Sequence, residues 1–507
     1  MEVSQLALKT LSQGLGILDS SEPFDVCIIG SGFAGTILGN SLVSRGVRTV
    51  ILESGNTLIR WFADSRLRQL AAYNTSGNAN YLTSNTKARA IGGNSNFWTG
   101  RAERLHPIDF EKNAYTPTSN PWPITYNEIE PYYEQAEKTL RVRGGALSEY
   151  HPPRKNILPL PPSTDISALK AMYAKVGVTI DDSPTATPTK GWRFFRLHKE
   201  LLPAFTASPH ALLVTGVTVT RLNTDSNRRV VGAEVRTMDG TTKIVRSRLY
   251  VVACGGIESP RLLLLSHSEL YPNGIGNAYD RVGRGFNEHP GVNFFAKIPH
   301  TRNTLYPSHK IGRTHQYYDE FKRQGLGGVL PVFIQSWIFP NHLMSFKLSK
   351  IPKNISYMLS RLSKAQIYIG TINEQYPDDE NRVTLDERSK DYFGNPLANL
   401  SLRFTEIDRK TLTRTRQLIR SIFAQLNAQD IRESELTWSR HHIGTCRMGD
   451  NPKTSVVDRD LRVHEASNLY VAGSETFVTG GAEPPVLTIT ALAHRLADHL
   501  TTRLEKG

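Results

Sequence analysis

Three glycines, Gly30, Gly32 and Gly35, follow an apolar run at residues 24–29 in the order G-x-G-x-x-G. Each has a separate task in that order. Gly30 permits a tight turn, Gly32 lets the backbone approach a pyrophosphate, and Gly35 lets the next helix pack close to the strand. Phe33 and Ala34 lie inside the motif, where the helix opens and turns its first amides and its dipole toward the phosphates. The pattern predicts a helix from about Ala34 to Arg45, stopped by Gly46. A second apolar run, "TVILE", ends in Glu53, eighteen residues after Gly35, with Ser54 next to it. A carboxylate there accepts hydrogen bonds from ribose hydroxyls and disfavours a 2′-phosphate. Strand, glycines, helix, strand and acid together read as a dinucleotide site, with FAD and NAD both open.

Positioning such a site takes a parallel sheet, whose buried strands are continuous apolar runs. Residues 24–29, 249–253 and the stretch "NLYVAGSETF" supply them from the start, middle and end of the chain. A sheet assembled this way makes its domain discontinuous. Bare backbone reaches the ligand side at Gly92 and Gly93, at Gly255 and Gly256, and at Gly473 beside Ser474. Between residues 212 and 253 apolar and polar residues alternate, with turn signals at "TDSN" and "DG", which predicts a β-meander.

The chain has 507 residues, 39% of them hydrophobic, enough for more than one domain. Cys27, Cys254 and Cys446 are far apart and form neither a disulfide ladder nor metal-ligand spacing. No metal is expected, and a reduced, cytoplasmic setting fits. No secretory or twin-arginine signal opens the sequence, and no apolar stretch reaches the roughly 18 residues of a membrane span. The net charge is +14, and residues 321–373 hold seven Lys or Arg with no Asp or Glu. Such a face can attract an anionic partner or a membrane surface, or simply be solvated. No nucleic-acid module is visible.

Six further stretches carry a resemblance: "KARAIGGNSNFWTGRAERLHPIDF" (87–110), "NPWPITYNEIEPYYEQAEKTLRVRGG" (120–145), "LYVVACGGIESPRLLLLSHS" (249–268), "RVGRGFNEHPG" (281–291), "DENRVTLD" (379–386) and "HHIGTCRMGDNPKTSVVDRDLRVHEASNLYVAGSETF" (441–477). In this order they resemble the glucose–methanol–choline (GMC) oxidoreductases over almost the whole chain. The motif style is closest to bacterial sugar-oxidising members and pyranose oxidase. The resemblance implies an α/β fold, with a discontinuous Rossmann-like FAD-binding domain and an α+β substrate-binding domain containing a large sheet. FAD-binding segments are then expected at 20–114, 206–294 and 441–507, and substrate-binding segments at 115–205 and 295–440. It also implies flavin contacts from Arg89, Gly92, Gly93, Asn94, Ser95 and Trp98, with Val219 toward the adenine. Ala253, Gly255, Gly473, Ser474, Pro485 and Val486 complete that set. The family members with a flavin-linked histidine carry it where this chain has Phe97, so FAD is expected to be non-covalent.

The resemblance further implies a base at the first residue of H-x-x-G-T, here His441. Imidazole suits that role because it titrates near working pH. Its neighbour His442 is expected to be structural. The family's second catalytic residue, Asn or His, falls on Pro484, which has neither a side-chain donor nor an N–H. Glu483, His442 or His494 would then substitute, with Glu483 favoured; otherwise the substrate needs less help, or the flavin serves a redox-neutral reaction. Oxidation of a hydroxyl on a sugar, glycoside, cyclitol or similar polyol is the expected reaction, with O2 or another compound as electron acceptor. The rivals are a redox-neutral isomerase or lyase, and a flavin-binding protein with little catalysis.

Overall fold

Five apolar runs form one parallel sheet, in the order Leu469–Val471, Ser247–Val252, Phe24–Ile29, Thr49–Glu53 and Ala211–Thr215. A computed structural model of the protein describes residues 23–506 apart from 83–85, 112–120, 145–147, 156–157, 160–165, 191–194, 299–309 and 337–364. Every residue of Thr49–Glu53 is buried, as a strand covered on both faces requires. The helix Phe33–Val43 lies between the first two sequential strands and packs against the C-terminal helix Val486–Glu505. The chain leaves Phe24–Ile29 toward one side of the sheet and returns to it on the other. That switch point, at the carboxyl ends of the strands, is where doubly wound sheets hold ligands.

The expected meander is present but shorter. Val217–Thr224, Val230–Thr237 and Thr242–Val245 form a three-stranded antiparallel sheet. The flanking runs pair in the parallel sheet instead: Ala211–Thr215 with Thr49–Glu53, and Ser247–Val252 with Phe24–Ile29.

A second, six-stranded antiparallel sheet runs Gln429–Glu433, Asn293–Ile298, Ala365–Asn373, Val329–Ser336, Lys310–Arg313 and Asp181–Asp182. The amphipathic helix Glu406–Gln425 packs one face on it through Leu418, Ile419, Ile422 and Phe423. A capping box of Thr405 and Asp408 starts that helix.

Five of the seven cations at 321–373 (Lys347, Lys350, Lys353, Arg361 and Lys364) lie outside the described residues. Lys322 is not part of an exposed face. It is buried, 2.7 Å from both Asp109 and Glu374, because two otherwise uncompensated carboxylates hold it inside. Among the described residues, no helix is long and apolar enough to cross a membrane.

Candidate active site

One cavity of about 570 Å³ opens at the strand ends and runs from Gly30 to His441. Gly30 sits at φ +107°, and a Cβ there would stand 2.5 Å from the Ala253 carbonyl oxygen. Only glycine makes that turn. Gly35 does not line the cavity; it packs against Gly30 from behind, as its place in the motif requires. The observed helix, Phe33–Val43, starts one residue earlier than its pattern suggests. Gly32, Phe33, Ala34, Glu53 and Ser54 line the cavity. Glu53 accepts from the Ser31 amide (3.1 Å), the Ser31 hydroxyl (2.7 Å) and the Gly55 amide (2.8 Å). It therefore shapes the glycine turn, and its remaining acceptor capacity is left for a ribose hydroxyl. Burial pushes this carboxyl above its ordinary range.

The residues present fit FAD. A Cβ built on Gly32 or on Gly255 meets nothing within 4 Å, and one on Gly93 meets only the Gly32 Cα, at 3.6 Å. Three stretches of bare backbone thus face one open space. Ser95 adds a buried hydroxyl without a partner. Asn94, Trp98 and Arg89 line the same wall, while Gly92 stands just behind it at φ +84°. Val219, Ala253, Gly473, Ser474, Pro485 and Val486 line it from the other elements. Phe97 lines it too, edge-on to Trp61 with ring centroids 6.0 Å apart.

Sequence reasoning passed over an ionic cluster at this end. Glu258 pairs with Arg89 at 2.6 Å, with Arg261 at 3.3 Å and with Lys87, and all four line the cavity. Burial brings Lys87 down to about 8, while the three cations hold Glu258 low against its own burial. Lys87, Glu258 and Arg261 lie within stretches that suggested the resemblance, but their pairing exists only once the helix Gly255–Leu265 is placed.

At the other end His441 is half-buried and lines the cavity. Its Nδ1 lies 2.8 Å from Nδ1 of His289. One of these nitrogens must donate and the other accept. The Nε2 of His289 is buried beside Gly480 with no hydrogen-bond partner, so a proton there is one of the two arrangements that the Nδ1–Nδ1 contact allows. A proton on His289 Nε2 leaves its Nδ1 to accept from His441. His441 then carries its proton on Nδ1 and keeps a lone pair on Nε2, which is the form a base needs. Burial first, then His289, His442 and Arg313, hold His441 well below its ordinary 6.5.

Glu288, also unforeseen, organises the backbone here. It accepts from the amides of His289 (2.7 Å), Ser439 (3.1 Å) and His441. Burial pushes its carboxyl up to about 8. His442 also lines the cavity; it bonds Tyr81 through Nε2 at 3.0 Å, and burial brings it down to about 3. His494 is held between Ser41 and Thr139, away from the cavity.

Pro484 lines the cavity and Pro485 caps the last helix. Glu483, expected to stand in for the missing donor, does not line the cavity. Its side chain turns away from the cavity, accepts from the Ala482 amide (3.1 Å), and faces His106 and His315. Arg101 and Arg313 instead bring polar groups to the wall.

A cradle of bare backbone that continues into a chamber lined by His441 and His442 fits the class that comparison with known proteins gives, an FAD-dependent oxidoreductase acting on CH–OH groups. Two sequence models described as GMC oxidoreductase match residues 189–291 and 377–493, and one described as FAD binding domain matches residues 23–63. The chain thus carries both family-model domains of the GMC oxidoreductases. It is 24% identical to the fructose dehydrogenase large subunit of Gluconobacter japonicus, over 95% of this chain and 98% of that one. It is 28% identical to 6'''-hydroxyparomomycin C oxidase of Streptomyces lividus, over 95% and 92%. Among solved structures, pyridoxine 4-oxidase from Mesorbium loti covers 94% of this chain and 99% of its own with a TM-score of 0.65 at 20% identity, a likeness of fold.

Proposed function

We propose that this protein oxidises a hydroxyl group of a sugar, glycoside, cyclitol or similar polyol, with His441 as base and non-covalently held FAD. The observation that supports the reading is His441 on the cavity wall with its Nδ1 2.8 Å from Nδ1 of His289, a contact that leaves Nε2 free for a substrate proton when His441 is the donor. Bound FAD supplies hydride acceptance. His441 removes the hydroxyl proton, and its displaced pKa keeps it unprotonated while it waits. Arg101 and Arg313 orient the polyol from the side where Pro484 offers no donor. Names among the relatives support the substrate class: they include a fructose dehydrogenase, a paromamine 6'-oxidase and a 2-methyl-1,2-propanediol dehydrogenase. The test is anaerobic bleaching of the yellow protein against sugars, aminoglycosides, cyclitols and simple alcohols. Bleaching by a polyol supports the reading, and a panel that leaves the flavin oxidised sinks it.

Two expectations follow from named residues. His441 must be neutral to act and its pKa is lowered, so falling pH protonates it only below 6.5. The acid limb of kcat/KM should therefore lie below pH 6.5; a limb at or above that value would contradict the assignment. Phe97 offers a hydrocarbon ring at the linkage position, so acid precipitation should release all flavin into the supernatant. Flavin retained on the pellet would show a bond at another residue.

A further inference from the structure

Behind the wall formed by Pro484 and Arg313 lies a second polar cluster, His106, His315 and Glu483, none of which lines the cavity. His106 precedes the short helix Pro107–Phe110, His315 follows the strand Lys310–Arg313, and Glu483 precedes the last helix. They are 4%, 2% and 0% exposed. Glu483 Oε1 lies 3.5 Å from His106 Nε2 and 3.6 Å from His315 Nε2, and the three atoms lie within 4.8 Å of one another. These distances are too long for good hydrogen bonds, and none of the three atoms has a hydrogen-bond partner. Native folds seldom leave three converging buried atoms unsatisfied.

The spacing suits a different kind of partner. A tetrahedral ion with bonds of about 2.0–2.1 Å sets its donors about 3.3–3.4 Å apart. Glu483 is arranged to bind through one oxygen, since Oε2 accepts from the Ala482 amide. The Asp319 carboxylate lies 3.6 Å from His106 Nδ1, near enough to add negative charge behind the ring. Stacking on Tyr318, with ring centroids 3.9 Å apart and planes 13° apart, fixes that ring.

Charge points the same way. Glu103, Asp109 and Glu374 all act on Glu483. Arg313 pairs with Glu103, and Lys322 with both Asp109 and Glu374. Carboxylates outnumber the cations paired with them around this cluster, which favours a bound cation. Two imidazoles and a carboxylate suit a divalent first-row transition metal.

We propose that His106, His315 and Glu483 bind a divalent transition-metal ion of the zinc(II) class. The ion ties together three segments that are remote in sequence, behind the wall facing the flavin chamber. Water completes its coordination. Its role is to hold Pro484 and Arg313 in place, and the inference stands whatever hydroxyl compound the enzyme oxidises.

The test uses the FAD-loaded enzyme, incubated with Zn2+ and then desalted into metal-free buffer. Elemental analysis should find about one zinc per chain. Co2+ in its place should give the visible absorption of a low-symmetry, near-tetrahedral ion. His315→Ala and Glu483→Gln should both reduce retained metal to background while FAD content stays at the wild-type level. Glu483→Gln carries the decisive contrast. It removes an anionic ligand with almost no change of shape, so it should lower Tm if a metal is bound. A cluster that merely shares protons would tolerate it. Wild-type enzyme that retains less than about a tenth of an equivalent of Zn2+ or Co2+ would overturn the proposal. So would variants that retain as much metal as wild type.

Discussion

His441→Ala enzyme, mixed anaerobically with a substrate that bleaches the wild type, should reduce its flavin about 10²- to 10⁴-fold more slowly. That range is what a positioned general base contributes. The substitution is clean because the structural duties at this position belong to the backbone. The His441 amide donates to Glu288, a bond that alanine keeps. The side chain faces the cavity and contacts His289, so FAD content and Tm should change little. The loss should appear in the reduction rate rather than in KM, since a base acts on the proton in flight. His289→Phe extends the argument. It leaves His441 in place but removes the acceptor at Nδ1, so the ring can carry its proton on either nitrogen. Its reduction rate should fall between wild type and His441→Ala, with FAD binding intact. Wild-type reduction by His441→Ala would remove this residue from the chemistry. A His289→Phe enzyme as fast as wild type would remove only the positioning role.

What was legible in the sequence was local. The glycine motif, the acid ending the second strand and the apolar runs are short patterns whose physics needs few distant contacts; the parallel sheet contains the runs and Glu53, with the glycines in the turn and helix that follow its first strand. The meander was overextended because alternation does not say which sheet a strand joins. Ala211–Thr215 looks like its antiparallel neighbours, yet pairs in parallel with Thr49–Glu53.

At the catalytic end Glu483 lies off the cavity wall for an equally physical reason. Nearness to Pro484 in sequence suggested nearness to the reacting atoms, but neighbouring side chains turn opposite ways and Glu483 faces backward. Its actual neighbours, His106 and His315, lie more than 150 residues away in sequence, so no spacing could announce the cluster. Lys322 shows the same limit. A run of cations reads as surface until the fold supplies Asp109 and Glu374.

Alanine at Gly32 and alanine at Gly35 should fail in opposite ways, although both positions belong to one motif. At Gly35 the new Cβ would stand 2.0 Å from the Gly30 carbonyl oxygen and 3.2 Å from Ile28. The closest obstacle is backbone, so no rotamer relieves it, and the helix Phe33–Val43 must shift off the sheet. Overpacking of this kind costs about 1–3 kcal/mol or more. Gly35→Ala should therefore lower Tm in apoprotein and holoenzyme alike, and lose FAD as a consequence. At Gly32 the backbone is at φ −67°, which alanine adopts freely, and the Cβ meets no protein atom within 4 Å. It would occupy cavity space instead. Gly32→Ala should leave the Tm of the apoprotein unchanged while weakening FAD about tenfold or more, the equivalent of at least about 1.4 kcal/mol. Thermal melts with and without FAD, together with flavin titration of the apoproteins, separate the two cases. An apoprotein Tm lowered by Gly32→Ala would mean that this glycine serves the fold. Unweakened FAD binding by the same variant would mean that the cradle seen here does not hold the phosphates, and the nucleotide site would have to be drawn elsewhere along the cavity.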